Sequence, residues 1–524
     1  MRLMFGSLGN AARLLHMARV LAAHDALVPH EYAHHAPASL RLLARILARR
    51  QADQAGLLPG ERLANALEKL GPSAIKIGQV LATRPDIVGR EIALGLETLQ
   101  DRLPPFPESD ARLVVESELR RPLAAIFSVF GPPVAAASIA QVHEAETTDD
   151  PPRHVAVKIL RPNILETFAR DFEAFRFAAK LAEKFSSEGR RLRARALVET
   201  LARSVALELD LRMEGAAACE LEQNMRDQPA FRVPVLDWSR TSARVLTTEW
   251  VEGTPLRDAG ALRAAGHDPR RIAVVVLQSF LTQALRDGFF HADLHPGNLF
   301  VDAEGRVCAV DFGIMGRLDA PTRRFLAETL GGFLARDYLR VARVHFEAGY
   351  VPSTHDVETF AQALRAVGEP IFGRTARDVS MARLLEQLFD TTRRFDMEMQ
   401  PQLLLLQKTM MVVEGVCRTL DPEFDIWDSS RPIIETWMVQ NLGPEARIRD
   451  AAEGFSSLGR LAQSFPQLLR DTEIIAAQLA VGGLRLHPDS VLAIAMTQIR
   501  RTRHIRVAIW IAAGALGVLA FELL

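Results

Sequence analysis

Three side chains between Phe289 and Gly316 have the types and the order that phosphoryl transfer requires. Asp293 lies two residues after His291, Asn298 follows five residues later, and Asp311 opens an Asp-Phe-Gly tripeptide. Moving a phosphoryl group requires a divalent ion held by hard oxygen ligands, and a carboxylate that orients or deprotonates the incoming hydroxyl. This order therefore predicts Asp293 as the catalytic base, and Asn298 with Asp311 as ligands of Mg²⁺.

The same stretch has a second interpretation, in which His291, Asp293 and His295 converge on a different cation or form only a polar turn. That interpretation leaves Asn298 and the Asp-Phe-Gly tripeptide unexplained, whereas their order matches the catalytic and metal-binding loops of a kinase. We therefore favour phosphoryl transfer. The residues between the two loops predict two short strands around a Glu304–Gly305 turn.

A candidate phosphate-contacting lysine lies upstream, in a segment with the pattern of a sheet. PVAAASIAQVHEAE predicts a strand, a turn and a strand, and HVAVKIL places Lys158 on a third strand, as in the V-A-I-K signature of kinases. Where a kinase has glycines, the turn has Ala135, Ala136, Ala137 and Ser138. Alanine lacks the positive-φ freedom of glycine, so we expect a stiffer loop whose amides are less free to fold over phosphates.

Acidic residues on the following helices are candidate partners for Lys158. Glu208 and Asp210 are two residues apart, Glu214 follows, and Arg212 is the only basic residue between Val205 and Leu221. A kinase fold requires one acid to pair with the lysine. The other acids either form a solvated face or, if they are buried, require a cation from elsewhere in the chain.

An earlier helical segment supplies a candidate for that cation. In SAIKIGQVLA, Lys76 and Gln79 lie three apart and share one helix face, and Gly78 is expected to let another backbone approach closely. Taken alone, this stretch is better explained by a surface lysine on an amphipathic helix. The run from Pro104 to Pro107 then predicts a rigid linker.

Composition excludes several classes of protein. The chain has 524 residues, enough for two or more domains, and Lys+Arg 63 against Asp+Glu 64 gives no charge bias toward nucleic acid. The 3 cysteines lack metal-ligand spacing and indicate a reducing compartment rather than a disulfide framework.

Both ends of the chain are basic and partly apolar. The first fifty residues predict a basic amphipathic helix that either lies on a membrane surface or packs against the body. Four of their five histidines, His24, His30, His34 and His35, are expected in a solvated loop rather than at a metal.

At the other end, Val507 to Phe521 is uninterrupted and apolar, and four arginines precede it. It is short of the about 20 residues that usually span a bilayer, but we favour a tail anchor. Ala513 and Gly517 give it a small-residue face on which two copies could pair as a homodimer.

Taken together, these motifs resemble those of the UbiB family of atypical, kinase-like proteins tied to ubiquinone biosynthesis. Four features occur in the family's order: a KxGQ motif at Lys76 to Gln79, the alanine-rich loop in AAASIAQVH, an ExD motif at Glu208 to Asp210, and HADLHPGN followed by DFG. Glu414 to Asp425 also resembles the family's carboxy-terminal lobe. One departure from protein kinases is Ala292, where they have arginine, so regulation by activation-loop phosphorylation is not expected.

The resemblance implies an α+β, protein-kinase-like bilobal fold with an α-helical KxGQ extension, a helical C-terminal lobe and a C-terminal transmembrane helix. The implied divisions are 1–58 for the basic helical segment, 59–107 for the KxGQ extension and linker, 108–252 for the N-lobe, 253–499 for the C-lobe, and 500–524 for the basic flank and anchor.

It also implies roles for particular residues. Lys158 would contact the phosphates and pair with Glu214. The extension with Lys76, Gly78 and Gln79 would fold over the cleft, and Lys76 would pair with Glu208, the first residue of the ExD motif that ends at Asp210. The nucleotide loop would comprise Val134, Ala135, Ala136, Ala137, Ser138, Ile139, Ala140, Gln141 and Val142.

The expected cofactors are ATP and Mg²⁺. The expected partners are membrane lipids, prenylated quinone precursors and ubiquinone-biosynthesis enzymes, with no nucleic acid. The protein would be anchored in a bacterial inner membrane with its catalytic body in the cytoplasm. Two alternatives remain, a small-molecule phosphotransferase of the aminoglycoside-kinase type and a nucleotide-binding scaffold for quinone-modifying enzymes.

Overall fold

The computed structural model describes residues 2–31, 56–82, 88–96, 98–99, 104–185, 193–372, 394–397 and 401–442, together with residues 42, 46, 47, 190 and 391. Its helices form an extension before a small, sheet-containing lobe and fill most of a larger lobe after it. This arrangement confirms the predicted kinase-like α+β class.

The small lobe is built on an antiparallel sheet. Its strands lie in the order β1-β2-β3-β5, with bounds Phe127–Ala136 (β1), Ala140–Thr147 (β2), His154–Leu160 (β3) and Val245–Glu249 (β5). Along β3 the buried side chains alternate, with Val155, Val157 and Ile159 on the core face. Because successive side chains of a strand point to opposite faces, Lys158 is directed away from this core, toward the cleft.

Helices precede this sheet and are inserted into it. Before it lie α1 (Arg2–Ala23), α2 (Pro59–Leu70), α3 (Pro72–Ala82), α4 (Arg90–Leu96) and α5 (Glu108–Leu119). Between β3 and β5 lie α6 (Ile164–Phe185), α7 (Ala194–Glu208), α8 (Leu211–Met225) and the short strand β4 (Phe231–Arg232). Among these described elements, α3 contacts both α6 and α7, which brings the KxGQ motif to the small lobe.

The amino-terminal helix packs against the body. Leu14, Ala18 and Ala22 on α1 are buried, and α1 contacts α6 and α2. Of the two alternatives that the sequence left open, the structure therefore shows packing for this helix. The expectation of a solvated histidine loop is wrong for His24, which is buried and bonded through Nδ1 to the Val20 carbonyl at 2.9 Å.

The large lobe combines short strands with helices. The strands are β6 (Thr254–Pro255), β7 (Phe289–His291), β8 (Leu299–Val301), β9 (Val307–Ala309) and β10 (Met315–Arg317). The helices are α9 (Ala259–Ala264), α10 (Pro269–Leu281, continued by a π-helical turn at Thr282–Asp287), α11 (Ala320–Leu334), α12 (Tyr338–Glu347), α13 (Val357–Phe372), α14 (Pro401–Leu420) and α15 (Ile426–Leu442).

The large lobe positions the catalytic stretch through two pairs of strands. β8 and β9 form the predicted hairpin, and Gly305 in its turn has a φ of 79°, a conformation that favours glycine. β7 pairs with β10 on either side of the Asp-Phe-Gly loop. Helix α14 supports the catalytic loop, because its Thr409 hydroxyl donates to the Ala292 carbonyl at 3.1 Å.

Within the described part of the chain, none of the helices combines the length and the apolarity needed to cross a bilayer. The predicted anchor, Val507 to Phe521, lies outside the described residues.

Candidate active site

One lysine joins the two lobes at the cleft. Lys158 Nζ lies 2.7 Å from Glu214 Oε1 on α8 and 2.8 Å from Asp311 Oδ1 in the large lobe. The structure thus selects Glu214 from the candidate acids as the partner of Lys158. It also brings the predicted phosphate-contacting lysine and the predicted metal ligand into direct contact.

Burial and charge act in opposite directions at this cluster. Burial alone would lower the pKa of Lys158, but the two carboxylates outweigh it and raise that pKa above its ordinary value. Lys158 in turn holds the pKa of Asp311 well below its usual range, while burial raises the pKa of Glu214. One ammonium shared by two carboxylates leaves a net negative site, which is suited to a further cation.

The catalytic loop is fixed by His291, whose side chain is fully buried. Its Nδ1 accepts the backbone N–H of Asp293 at 3.1 Å, so the ring proton lies on Nε2 and is donated to the Val310 carbonyl at 3.2 Å. Burial lowers the pKa of His291, which favours this neutral tautomer. Because Val310 immediately precedes Asp311, one imidazole sets the positions of both loops.

The candidate base and the candidate metal ligands have their oxygens available at the cleft. Asn298 Nδ2 donates to the Asp293 carbonyl at 3.1 Å and approaches Asp293 Oδ2 at 3.4 Å, which leaves the amide oxygen to act as a ligand. The Asp311 side chain is 49% exposed and adopts a φ of 63°, in the left-handed region. An amide oxygen and a carboxylate are hard donors that fit Mg²⁺.

The predicted nucleotide loop forms the turn between β1 and β2. Ala136 pairs with Gln141, and the Ala137 N–H donates to the Ala140 carbonyl at 2.8 Å. The loop has two environments. Val134 and Ala135 on β1 are exposed, whereas the residues from Ser138 to Gln141 are buried.

The KxGQ helix reaches the cleft through its lysine. Lys76 Nζ lies 2.5 Å from Glu208 Oε2 at the end of α7, and the two side chains are 9% and 22% exposed. The charge of Lys76 also contributes, after that of Lys158, to the low pKa of Asp311. Asp210, the second acid of the ExD motif, instead caps α8 by accepting the Arg212 N–H and pairs with the Arg212 side chain.

The remaining residues of the KxGQ motif pack rather than react. The expectation that Gly78 admits a neighbouring backbone is wrong, because a Cβ there would meet the side chains of Leu67 and Leu99. The lack of a side chain at Gly78 lets these leucines pack closely over α3. Gln79 is half-buried on the same helix.

Several polar residues near the site were not among the sequence-based candidates. Asp171 on α6 is buried and bonded to both Arg13 of α1 and Ser73 of α3. Arg161, directly after β3, donates to the Ala137 carbonyl. Arg161 could have been found from its position in the sequence, three residues after Lys158 and before a proline. For Asp171 the sequence offers only its place between Phe168 and Phe172.

Together these groups comprise a lysine, the oxygen donors Asn298 and Asp311, and the half-exposed carboxylate of Asp293, which are the groups expected of a kinase-like site. Comparison with known proteins also indicates a kinase-like domain. Residues 98–345 match the ABC1 atypical kinase-like domain, and residues 364–425 match the UbiB helical domain.

The sequence is 42% identical over 423 residues to a protein of Marinobacter nauticus named "Probable protein kinase UbiB", covering 80% of this chain and 77% of the relative. The chain therefore belongs to the UbiB family, as its motifs predicted. A solved structure of Rv3197 with erythromycin from Mycobacterium tuberculosis is similar in fold, with a TM-score of 0.51 and 24% identity over 71% of this chain and 94% of that one.

Proposed function

We propose that this protein is an atypical kinase-like ATPase that supports ubiquinone biosynthesis, with Mg-ATP bound between its two lobes. The observation that carries the proposal is the contact of Lys158 with both Glu214 and Asp311, beside the loop that holds Asp293 and Asn298. Family membership supports the biosynthetic role. A bound Mg²⁺ would neutralise phosphate charge at Asn298 and Asp311.

Each residue then has a defined task. Lys158 binds phosphate oxygens while Glu214 holds its ammonium in place. Asp311, which contacts Lys158 in this structure, would hold the metal together with Asn298. Asp293, oriented through the His291 bond to its backbone N–H, accepts a proton from the attacking hydroxyl or water.

The pair formed by Lys76 and Glu208 makes this site unlike that of an ordinary phosphotransferase. The lysine lies near Asp311 on a helix that precedes the kinase-like domain, so the extension restricts access to the cleft. Such closure favours a small set of acceptors, or water. We propose that hydrolysis is coupled to access to prenylated quinone precursors at the membrane.

We propose that residues 507–521 anchor the protein in a bacterial inner membrane with the arginines before them on the cytoplasmic side. Deleting residues 505–524 should move the protein from the membrane to the soluble fraction. If the truncated protein still resists extraction at high salt, the anchor is assigned wrongly.

The nucleotide site is tested by heating the full-length protein with and without Mg-ATP. The parent should melt at a higher temperature with Mg-ATP, and Asp311→Asn should abolish that increase. The melting temperature of the apo protein should be nearly unchanged in the variant, because Lys158 retains its contact with Glu214. Asp428→Asn, at an exposed position of α15, is the control. Equal shifts in the parent and Asp311→Asn would remove Asp311 from the metal site.

Activity is tested as ATP turnover with and without anionic lipid vesicles and a prenylated-phenol mimic, followed by a search for phosphorylated product. Stimulation by both additives without a phosphorylated product supports the ATPase. Formation of a phosphorylated product would instead identify a transferase and its acceptor.

A further inference from the structure

The turn of the nucleotide loop is held by one arginine that no motif includes. Arg161 donates to the Ala137 carbonyl through both Nε, at 3.1 Å, and Nη2, at 2.9 Å, and its backbone N–H donates to the Ile139 carbonyl at 2.8 Å. The carbonyls on both sides of Ser138 are thus tied to a single residue.

The same guanidinium also contacts the linker that follows the KxGQ extension. Arg161 Nη2 donates to the Pro104 carbonyl at 2.8 Å, and its Cζ lies 5.6 Å from the centroid of the Phe106 ring. The Phe106 N–H donates to Gln141 Oε1 at 2.9 Å, on the strand that leaves the turn. The linker is therefore attached to the nucleotide loop at two points.

These contacts restrain the loop in a way that its alanines cannot. Alanine limits the φ range of each residue, but a stiff turn can still move as a unit about its ends. The forked donors of Arg161 fix the position of the turn relative to β3, because charge-assisted hydrogen bonds to a carbonyl are stronger than neutral ones. Since Arg161 is three residues from Lys158, the loop and the phosphate-contacting lysine share one support.

We infer that Arg161 is a positioning residue that restrains the nucleotide loop relative to β3 and connects it to the linker from the KxGQ helices. The inference rests on the proposed nucleotide site for its effect on binding. The restraint itself is a property of the free protein and can be measured without a nucleotide.

The restraint is tested by amide hydrogen exchange of the full-length protein, with Arg161→Gln compared with the parent. Amides 137–140 should exchange about tenfold faster in the variant, because the bonds lost are those of a charged donor. The control is Arg170→Gln, an exposed arginine whose bonds lie within α6. Unchanged exchange at 137–140, or equally faster exchange across the whole sheet, overturns a positioning role.

The effect on nucleotide is tested by the steady-state kinetics of the same proteins. Arg161→Gln should lower KM for ATP about threefold with little change in kcat. Ala136→Gly also releases the loop and should have the same effect. The decrease in KM in the double variant should be little larger than in either single variant. Arg161→Lys keeps the positive charge but loses the paired N–H donors of the guanidinium. It should give an intermediate rate of amide exchange and an intermediate KM.

The two hypotheses fail in different ways. A parent protein that neither binds nor turns over ATP contradicts the proposed function, while the exchange rates still decide whether Arg161 restrains the loop. Fully additive effects of Arg161→Gln and Ala136→Gly on KM show that the two residues restrain different motions, and overturn the inference.

Discussion

The contact between Lys76 and Glu208 allows a quantitative test of the KxGQ extension. Removing one member of a fully buried ion pair costs about 3 to 5 kcal/mol, because the other charge is left without a partner. Glu208 is 22% exposed and Lys76 is 9% exposed, so partial hydration of the remaining charge reduces this cost. We expect Lys76→Met and Glu208→Gln each to lower the free energy of unfolding by about 2 kcal/mol.

The double variant should be more stable than either single variant. With both charges gone, only packing and weak polar contacts are lost, so we expect a total cost of about 1 kcal/mol and a coupling of about 3 kcal/mol between the two positions. The assay is urea unfolding of the full-length apo protein. Lys69→Met, at an exposed position of α2, should change the unfolding free energy by less than about 0.5 kcal/mol.

Strictly additive losses would refute the pairing, since residues that do not interact contribute independently. The same variants also report on function. Lys76→Met loosens the extension and removes a positive charge near Asp311, so it should change nucleotide selectivity or autophosphorylation. Lys69→Met should change neither.

Three further predictions concern other elements. Burial lowers the pKa of His345 to about 4, whereas a free imidazole has a pKa of about 6.5. As pH falls, the unfolded chain therefore binds the proton first. The free energy of unfolding should decrease by up to about 3 kcal/mol as pH falls from about 6.5 to about 4. In urea titrations at several pH values, His345→Leu should flatten this dependence. Arg13→Gln leaves Asp171 buried without its cation and should lower the free energy of unfolding by about 2 kcal/mol. In the same titration, Arg19→Gln at an exposed position should hardly change the free energy of unfolding. Ala136→Gly restores backbone freedom to the nucleotide loop and should tighten ATP binding in a calorimetric titration, whereas unaltered affinity would show that the alanines are not the restraint.

Much of the site could be predicted from sequence because its residues are close together in the chain. His291, Asp293, Asn298 and Asp311 all fall between Phe289 and Gly316, so their spacing alone limits where they can lie. Lys158 was predictable because a strand with alternating burial must direct it away from the core. The alternation identifies the face, and the kinase signature supplies the chemistry.

The contacts that couple distant segments were harder to predict. Asp171 bonds Arg13 and Ser73, which are 158 and 98 residues away, and Arg161 reaches Pro104 across 57 residues. A periodic pattern tells which side of a helix is buried, but not which other helix covers it. Gly78 illustrates the same limit, since the pattern required a close neighbour and only the packing showed that the neighbour is a side chain.

The neutral imidazole of His291 has a consequence for how this site can fail. Because the same ring contacts the amide of Asp293 and the carbonyl before Asp311, a substitution at His291 removes a support from both loops at once. The Mg-ATP melting shift and the rate of ATP turnover should therefore decline together in His291 variants, although His291 itself contacts neither metal nor substrate in the proposed site.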